Sequence, residues 1–277
     1  GKVDLVKSLE QSCDVFYYEV AQRAGIDKIA DMARRLGLGT RHDLPMSAVT
    51  EGLAPDKQWK LAKYKKDWMI GDTLNAGIGQ GYVLASPLQL AVMTARIASG
   101  RAVTPRLVRS IDGVEQPVAD LQPLGIDADI LHAVRGGMYE VSNSKRGTAF
   151  SSRIADDSVR MAGKTGTSQV RNITAAERAA GVISNDDLPW NRRDHALFVC
   201  FAPFDDPKVA VAVVVEHGGG GSTAAAPIAR DILLQALFGG LPPLTAYPES
   251  QRSRIEAERQ DLQLLDPQEP ANGKIRA

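Results

Sequence analysis

The sequence has neither an excess of charge of one sign nor long hydrophobic runs. Its 277 residues include 33 Lys and Arg and 33 Asp and Glu, so the formal charges balance at pH 7. Because no long-range field then attracts nucleic acid or anionic lipid, we expect no nucleic-acid partner. No apolar run is long enough to span a bilayer, and the run at residues 209–215 suits a buried strand.

Cysteine is almost absent, which excludes a disulfide framework and a four-cysteine zinc site. The only two are Cys13 and Cys200, and Cys200 lies in an apolar strand pattern typical of a packed core thiol. The four histidines, at positions 42, 132, 195 and 217, lack the paired spacing of metal ligands. We therefore expect no metal site formed by this chain alone.

Apolar spacing predicts several helices, then three consecutive strands and a final helix, without a domain linker. Residues 40–86 are weakly periodic and include a glycine-rich passage at residues 75–81, which favours a functional surface loop. A short hairpin is expected around Asp112-Gly113. The predicted helices are 8–25, 27–36, 86–98, 127–141 and 227–238, and the predicted strands are 158–168, 195–202 and 209–216.

The last two strands indicate the architecture, because both are apolar on both faces and must be covered on both sides. Their connection, residues 203–208, is too short for a helical crossover and predicts antiparallel pairing. We therefore expect an α/β fold of the α+β type, an antiparallel sheet with helices on both faces. Residues 1–240 would form this domain, and residues 241–277, with few apolar side chains, would form a C-terminal tail.

The string Lys164-Thr165-Gly166-Thr167 on the first predicted strand is the most informative short motif. Alternate residues of a strand share a face, so the hydroxyls of Thr165 and Thr167 point together while Lys164 points the other way. Two hydroxyls beside a lysine suit a small carboxylate. Gly166 allows close backbone approach, as an edge strand needs when it pairs with a peptide. The polar end of an ordinary strand is the alternative.

A second candidate element is Ser12-Cys13-Asp14 at a helix start. A serine beside a helix terminus can relay a proton, and a short carboxylate such as Asp14 can anchor a neighbouring lysine ammonium. Taken alone, this pattern is more typical of an N-cap than of a catalytic site.

Together the two elements resemble the second and third motifs of the serine penicillin-recognising enzymes, Ser-x-Asn or Ser-x-Asp and Lys-Thr-Gly. The chain is similar to the class B penicillin-binding proteins over residues 1–240, and most of all to their elongation-specific (penicillin-binding protein 2) branch. This resemblance implies the penicillin-binding transpeptidase, or β-lactamase-like, fold. The strings that carry it are 71–75 (GDTLN), 78–82 (IGQGY), 86–91 (SPLQLA), 147–149 (GTA), 162–167 (AGKTGT) and 194–198 (DHALF).

The resemblance implies a peptidoglycan D,D-transpeptidase that forms a serine acyl-enzyme and is acylated by β-lactams. Ser12, Asp14 and Lys164 would be its catalytic residues, with Ser12 relaying protons. The segment 165–167 would bind substrate, with the two threonines holding its carboxylate and the Thr167 N–H forming half of the oxyanion hole.

The resemblance also implies stem peptides and β-lactams as ligands, with a glycosyltransferase and other elongation-complex proteins as partners. The location would be the periplasmic face of the bacterial inner membrane, with the membrane anchor outside this sequence. The resemblance implies that no cofactor is required. Some relatives hold a structural zinc ion through the cysteine between Ser and Asp, which is Cys13 here; its other ligands would lie before Gly1, and a packed thiol is the alternative.

The nucleophilic Ser-x-x-Lys motif is missing at its expected place. In relatives it precedes Ser-x-Asp by some tens of residues, whereas eleven residues precede Ser12, and the sequence begins at Gly1 without Met. We expect an N-terminally incomplete domain, inactive alone. The literal match Ser142–Lys145 stands in the wrong order and is interpreted as chance.

Two other functions share these sequence features. A β-lactamase or a penicillin-sensing receptor would have the same fold and motifs. A lactamase, however, needs a base that positions a deacylating water, and between Ser12 and Lys164 the sequence has no dedicated acidic loop that resembles the loop of those families. A non-catalytic scaffold or binding fragment is the alternative of another class.

Overall fold

A computed structural model describes residues 2–118, 120–171 and 173–261. Ten α-helices and five strands are formed within these ranges. The strands are β1 (Ser110–Ile111), β2 (Val114–Glu115), β3 (Ala162–Ser168), β4 (His195–Ala202) and β5 (Val209–Val215). The helices are α1 (Leu5–Glu10), α2 (Asp14–Ala24), α3 (Ile26–Arg35), α4 (Lys57–Tyr64), α5 (Ile70–Gly77), α6 (Pro87–Ser99), α7 (Ala128–Asn143), α8 (Ala175–Ala180), α9 (Ala226–Phe238) and α10 (Glu249–Asp261).

The main sheet has the strand order β3-β4-β5 with both pairs antiparallel, as predicted. In its register Thr165 lies opposite Phe198 and Thr167 lies opposite Ala196. Within the described residues β3 is therefore an edge strand, and the Lys-Thr-Gly-Thr string borders the outer edge of the sheet. The predicted hairpin is confirmed as β1 and β2.

Helices cover both faces of this sheet, which confirms the predicted architecture. On one face Phe198 and Cys200 pack in the cluster that contains Leu233 of α9. On the other face Phe201 packs against residues of α6 and α7, among them Met138. Cys200 is fully buried, and burial raises the pKa of its thiol, as expected for a packed core cysteine.

Residues 40–86, predicted to be irregular, contain α4 and α5. Tertiary contacts stabilise these two helices, although their sequences lack a regular spacing of apolar residues. The rings of Trp59 and Tyr82 meet edge to face with centroids 5.2 Å apart, and Lys60 pairs with Asp72 where both side chains are largely buried. The prediction of a long irregular loop is wrong because these tertiary contacts stabilise helices in a segment whose apolar residues show no helical period.

The C-terminal tail needs a correction as well. Tyr247 and Ile255 are buried in the main hydrophobic cluster, and Ile255 belongs to α10. The buried guanidinium of Arg230 lies over the Tyr247 ring, 4.7 Å from its centroid. Residues 241–261 are therefore part of the packed domain, whereas residues 262–277 lie outside the described residues. Among the described helices, none is long and apolar enough to cross a membrane.

Gly221, just before α9, allows the chain to lie directly on the sheet. A Cβ built there would stand 2.3 Å from the carbonyl oxygen of Leu197 and 2.5 Å from that of Gly166. Both are backbone atoms in the sheet and cannot rotate away. We therefore expect Gly221→Ala to lower the free energy of unfolding by roughly 1–3 kcal/mol, measured by urea denaturation.

Gly240→Ala is the matched control, since no heavy atom lies within 4 Å of a Cβ at Gly240. Its effect should stay within about 0.5 kcal/mol. Equal losses for the two variants would contradict the packing argument.

Candidate active site

Ser12 occupies a tight turn between α1 and α2, where the sequence predicted one continuous helix. Its φ of +54° is left-handed, a conformation that usually belongs to glycine at this position of a helix end. The turn is a Schellman motif: the N–H of Cys13 donates to the carbonyl of Ser8 at 2.9 Å, and the N–H of Ser12 donates to that of Leu9 at 3.2 Å.

The predicted helix start at Ser8 is wrong, because α1 begins at Leu5. Ser8 lies inside α1, and its hydroxyl contacts the Leu5 carbonyl and the Tyr17 hydroxyl. A serine in the left-handed position of Ser12 carries strain that a glycine would avoid, and such strain concentrates at functional sites.

Lys164 meets Ser12 across the site. Its Nζ donates to Ser12 Oγ at 2.8 Å and to the carbonyl of Thr165 at 3.0 Å. Burial lowers the pKa of Lys164 from 10.5 to about 8, and the nearby Asp14 carboxylate opposes this shift. Roughly a tenth of these lysines are then neutral at pH 7, so Lys164 can hold or pass a proton near neutrality. The three predicted catalytic residues are brought together.

Thr165 contacts Thr148, which follows the C-terminal end of α7. Its hydroxyl lies 2.9 Å from that of Thr148, whose backbone N–H donates to the carbonyl of Glu10 at 3.2 Å. Gly147 makes the turn possible, since a Cβ there would lie 2.3 Å from the carbonyl of Val141. The string at residues 147–149 thus links α1, α7 and β3 at the site. The sequence alone does not reveal this role.

Gln80 is a site residue that the sequence analysis did not single out. Its side-chain amide donates to the carbonyl of Thr167 at 2.9 Å. The Gly-Gln-Gly string was recognised only as a family feature, because its contact with β3 spans 87 positions of the chain. Thr167 itself is exposed.

These residues enclose an open cleft of about 430 Å³. Burial raises the pKa of Tyr17 in its wall, so its phenol stays protonated at neutral pH. Hydroxyls, a lysine and a strand edge together suit a ligand with a carboxylate and an extended backbone. The lining includes Ser12, Asp14, Tyr17, Gln80, Lys164 and the predicted substrate-binding residues Thr165, Gly166 and Thr167.

Ser142 is no competitor for the nucleophile. It is fully buried in α7, and its hydroxyl has no hydrogen-bond partner among the described residues. A substrate carbonyl cannot reach it, which agrees with the interpretation of Ser142–Lys145 as a chance match.

Cys13 is the N-cap of α2 and a half-buried free thiol. Within residues 2–118, 120–171 and 173–261, no three His, Cys, Asp or Glu side chains gather in an arrangement that could hold a metal ion. The described residues do not by themselves fit a zinc site, and zinc at Cys13 stays a prediction.

Comparison with known proteins agrees with this geometry. The profile of the penicillin-binding protein transpeptidase domain matches residues 1–234. The chain belongs to this transpeptidase family. The assignment made from the motifs is therefore confirmed.

Relatives within the family are similar along most of this chain. The peptidoglycan D,D-transpeptidase MrdA of Haemophilus influenzae is 36% identical over 273 residues, 95% of this chain and 41% of its own length. The crystal structure of Pseudomonas aeruginosa PBP2 in complex with WCK 5153 matches with a TM-score of 0.71 and 36% identity, covering 89% of this chain and 50% of that one.

A complex between PBP2 and MreC from Helicobacter pylori gives a TM-score of 0.71 at 34% identity, over 86% of this chain and 41% of that one. The chain thus spans about two-fifths of the length of the curated relative and up to half of these solved chains.

The electrostatics of the site predict the behaviour of one lysine. The pKa of Lys164, measured by carbon NMR of labelled lysine, should lie near 8. Asp14→Asn should lower it further, because the carboxylate that favours the charged form is lost. Asp206→Asn, which removes a carboxylate paired with Lys208 in the β4–β5 turn, should leave it unchanged. A value near 10.5 for Lys164 would refute the burial argument.

Proposed function

We propose that this chain forms part of the catalytic domain of an elongation-specific peptidoglycan D,D-transpeptidase. The observation that carries the proposal is the hydrogen bond between Lys164 and Ser12 at the head of a cleft bordered by Thr165 and Thr167. The family match and relatives named peptidoglycan D,D-transpeptidase support it.

The reaction would proceed by two acyl transfers. A serine of the Ser-x-x-Lys motif, expected before Gly1, attacks the carbonyl carbon of the penultimate D-Ala of a stem peptide. The Thr167 N–H donates to the oxyanion that forms. The peptide C–N bond then breaks, and the terminal D-Ala leaves as an amine after taking up a proton. An amine of a second stem peptide attacks the resulting ester, releases the serine and completes the cross-link.

Ser12 and Lys164 would supply the proton that the leaving amine needs. Ser12 Oγ accepts a hydrogen bond from Lys164 Nζ, so its own proton is free to be donated into the cleft. A lysine with a pKa near 8 can replace that proton at neutral pH at little cost. The hydroxyls of Thr165 and Thr167, beside the lysine charge, would hold the carboxylate of the terminal D-Ala.

The proposed partners and location follow from relatives. One relative was solved as a complex with MreC, and another similar structure is described as a peptidoglycan synthase complex that coordinates polymerization and crosslinking. We propose that the full-length protein likewise works with a glycosyltransferase and elongation-complex proteins at the periplasmic face of the inner membrane. β-Lactams would acylate it because they imitate the D-Ala-D-Ala end.

Loss of the Ser12 hydroxyl should separate chemistry from folding. In the full-length protein, Ser12→Ala should slow acylation by fluorescent penicillin roughly 10²- to 10⁴-fold, because general acid–base transfer is lost. The thermal midpoint should change little, since Ser12 lies at the surface of the cleft.

Ser142→Ala is the control, since Ser142 is buried in α7 away from solvent. Its acylation rate should equal that of the unaltered protein. Labelling that is abolished by Ser142→Ala and retained by Ser12→Ala would refute the assignment of the site.

A further inference from the structure

The outer edge of β3 is covered by side chains rather than left open. Alternate carbonyls of a strand point to opposite sides, and three at odd-numbered positions, two in β3 and one at the residue just before it, each accept a hydrogen bond from a side chain. Such cover matters because the unpaired N–H and C=O groups of an edge strand can pair with another chain. The pairs are Asn143 Nδ2 to Met161 at 2.9 Å, Lys164 Nζ to Thr165 at 3.0 Å and Gln80 Nε2 to Thr167 at 2.9 Å.

The backbone of Gln80 is anchored, while its side chain reaches across to the carbonyl of Thr167. It follows the Schellman turn that ends α5: its N–H donates to the carbonyl of Asn75 at 2.9 Å, and the N–H of Gly79 donates to that of Ala76 at 3.0 Å. Gly79 and Gly81 flank it with φ of +77° and +74°. A rotation of its side chain alone would therefore release Thr167 without moving α5.

The hydrogen bond of Gln80 also lies between two clefts. One is the active-site cleft of about 430 Å³, and the other, of about 610 Å³, continues past the end of β3. Gln80 lines both. The second cleft is mostly polar and is bordered by Asn75, Ser168 and Arg171. When Gln80 turns away, the two clefts become one groove along the edge of β3.

Ladder geometry defines what replaces Gln80. In an antiparallel pair, two residues directly opposite each other exchange both N–H···O bonds. If Thr167 N–H binds the carbonyl of the penultimate residue of a substrate, the N–H of that same residue lies opposite the Thr167 carbonyl. That carbonyl is the atom to which Gln80 now donates.

We propose that Gln80 is a latch on the edge of β3, a positioning residue that holds the Thr167 carbonyl until the N–H of an extended peptide substrate takes its place. This inference rests on the proposed function and adds a residue to it. The latch protects the free strand edge and makes occupation of the groove an exchange of one hydrogen bond for another, so only a ligand that brings its own donor at this point replaces the bond fully.

The test compares two probes that differ in one atom. Acetyl-D-Ala-D-Ala carries the N–H in question, and acetyl-D-lactyl-D-Ala has an ester oxygen in its place. Each is titrated against acylation of the full-length protein by fluorescent penicillin, which gives an inhibition constant for each probe. The variants are Gln80→Ala and Gln80→Met, the second of which keeps the side-chain volume.

Removal of the latch should favour the amide probe alone. Its inhibition constant should fall about three- to tenfold in both variants, the value of one net hydrogen bond, while that of the ester probe stays within about twofold. The ratio of the two constants cancels any general change in the site. Parallel weakening of both probes, or an unchanged ratio, would show that Gln80 has only a structural role and would overturn the latch.

Failure of the proposed function gives a different result. If neither probe slows acylation of the unaltered protein, the cleft does not recognise a D-Ala-D-Ala end, and both proposals are wrong. If the unaltered protein binds both probes while the ratio stays constant in the variants, only the latch is wrong.

Discussion

The hydrogen bond from Lys164 to Ser12 is the contact on which the site depends, because it joins segments 152 positions apart. It requires Ser12 to adopt a left-handed conformation that costs about 1–2 kcal/mol in a non-glycine residue. The Schellman bonds of α1 stabilise that conformation, and packing of α1 on α7 places it opposite β3. The same burial that brings Lys164 to Ser12 also lowers its pKa, so geometry and proton affinity have one cause.

Helix ends bring the polar groups of the site to a strand that helices and sheet hold rigid. Ser12 follows α1, Asp14 begins α2 and Gln80 follows α5, and all three line the cleft beside β3. Close packing permits this arrangement: a Cβ at Gly77 of α5 would lie 2.5 Å from that of Ala21 in α2. A strand edge with its carbonyls satisfied by side chains is protected from aggregation yet accessible to a ligand with matching donors.

Much of the fold could be predicted from β4 and β5. The short turn between these two strands requires antiparallel pairing, and their apolar residues on both faces require helices on both sides of the sheet. The Ser12, Asp14 and Lys164 set followed from motifs. Gln80 could not be found, since its partner is a backbone carbonyl that no residue type encodes. The helix break at Ser12 was missed for a similar reason. A left-handed residue at a helix end is usually glycine, and here it is serine.

The lifetime of the penicillin adduct on the full-length protein tests the central claim most directly. A transpeptidase site lacks a base that positions water for deacylation, so we predict an adduct that persists for many minutes at neutral pH, followed by fluorescence after gel filtration. An adduct that turns over within seconds, with release of penicilloic acid, would identify a β-lactamase and contradict the account.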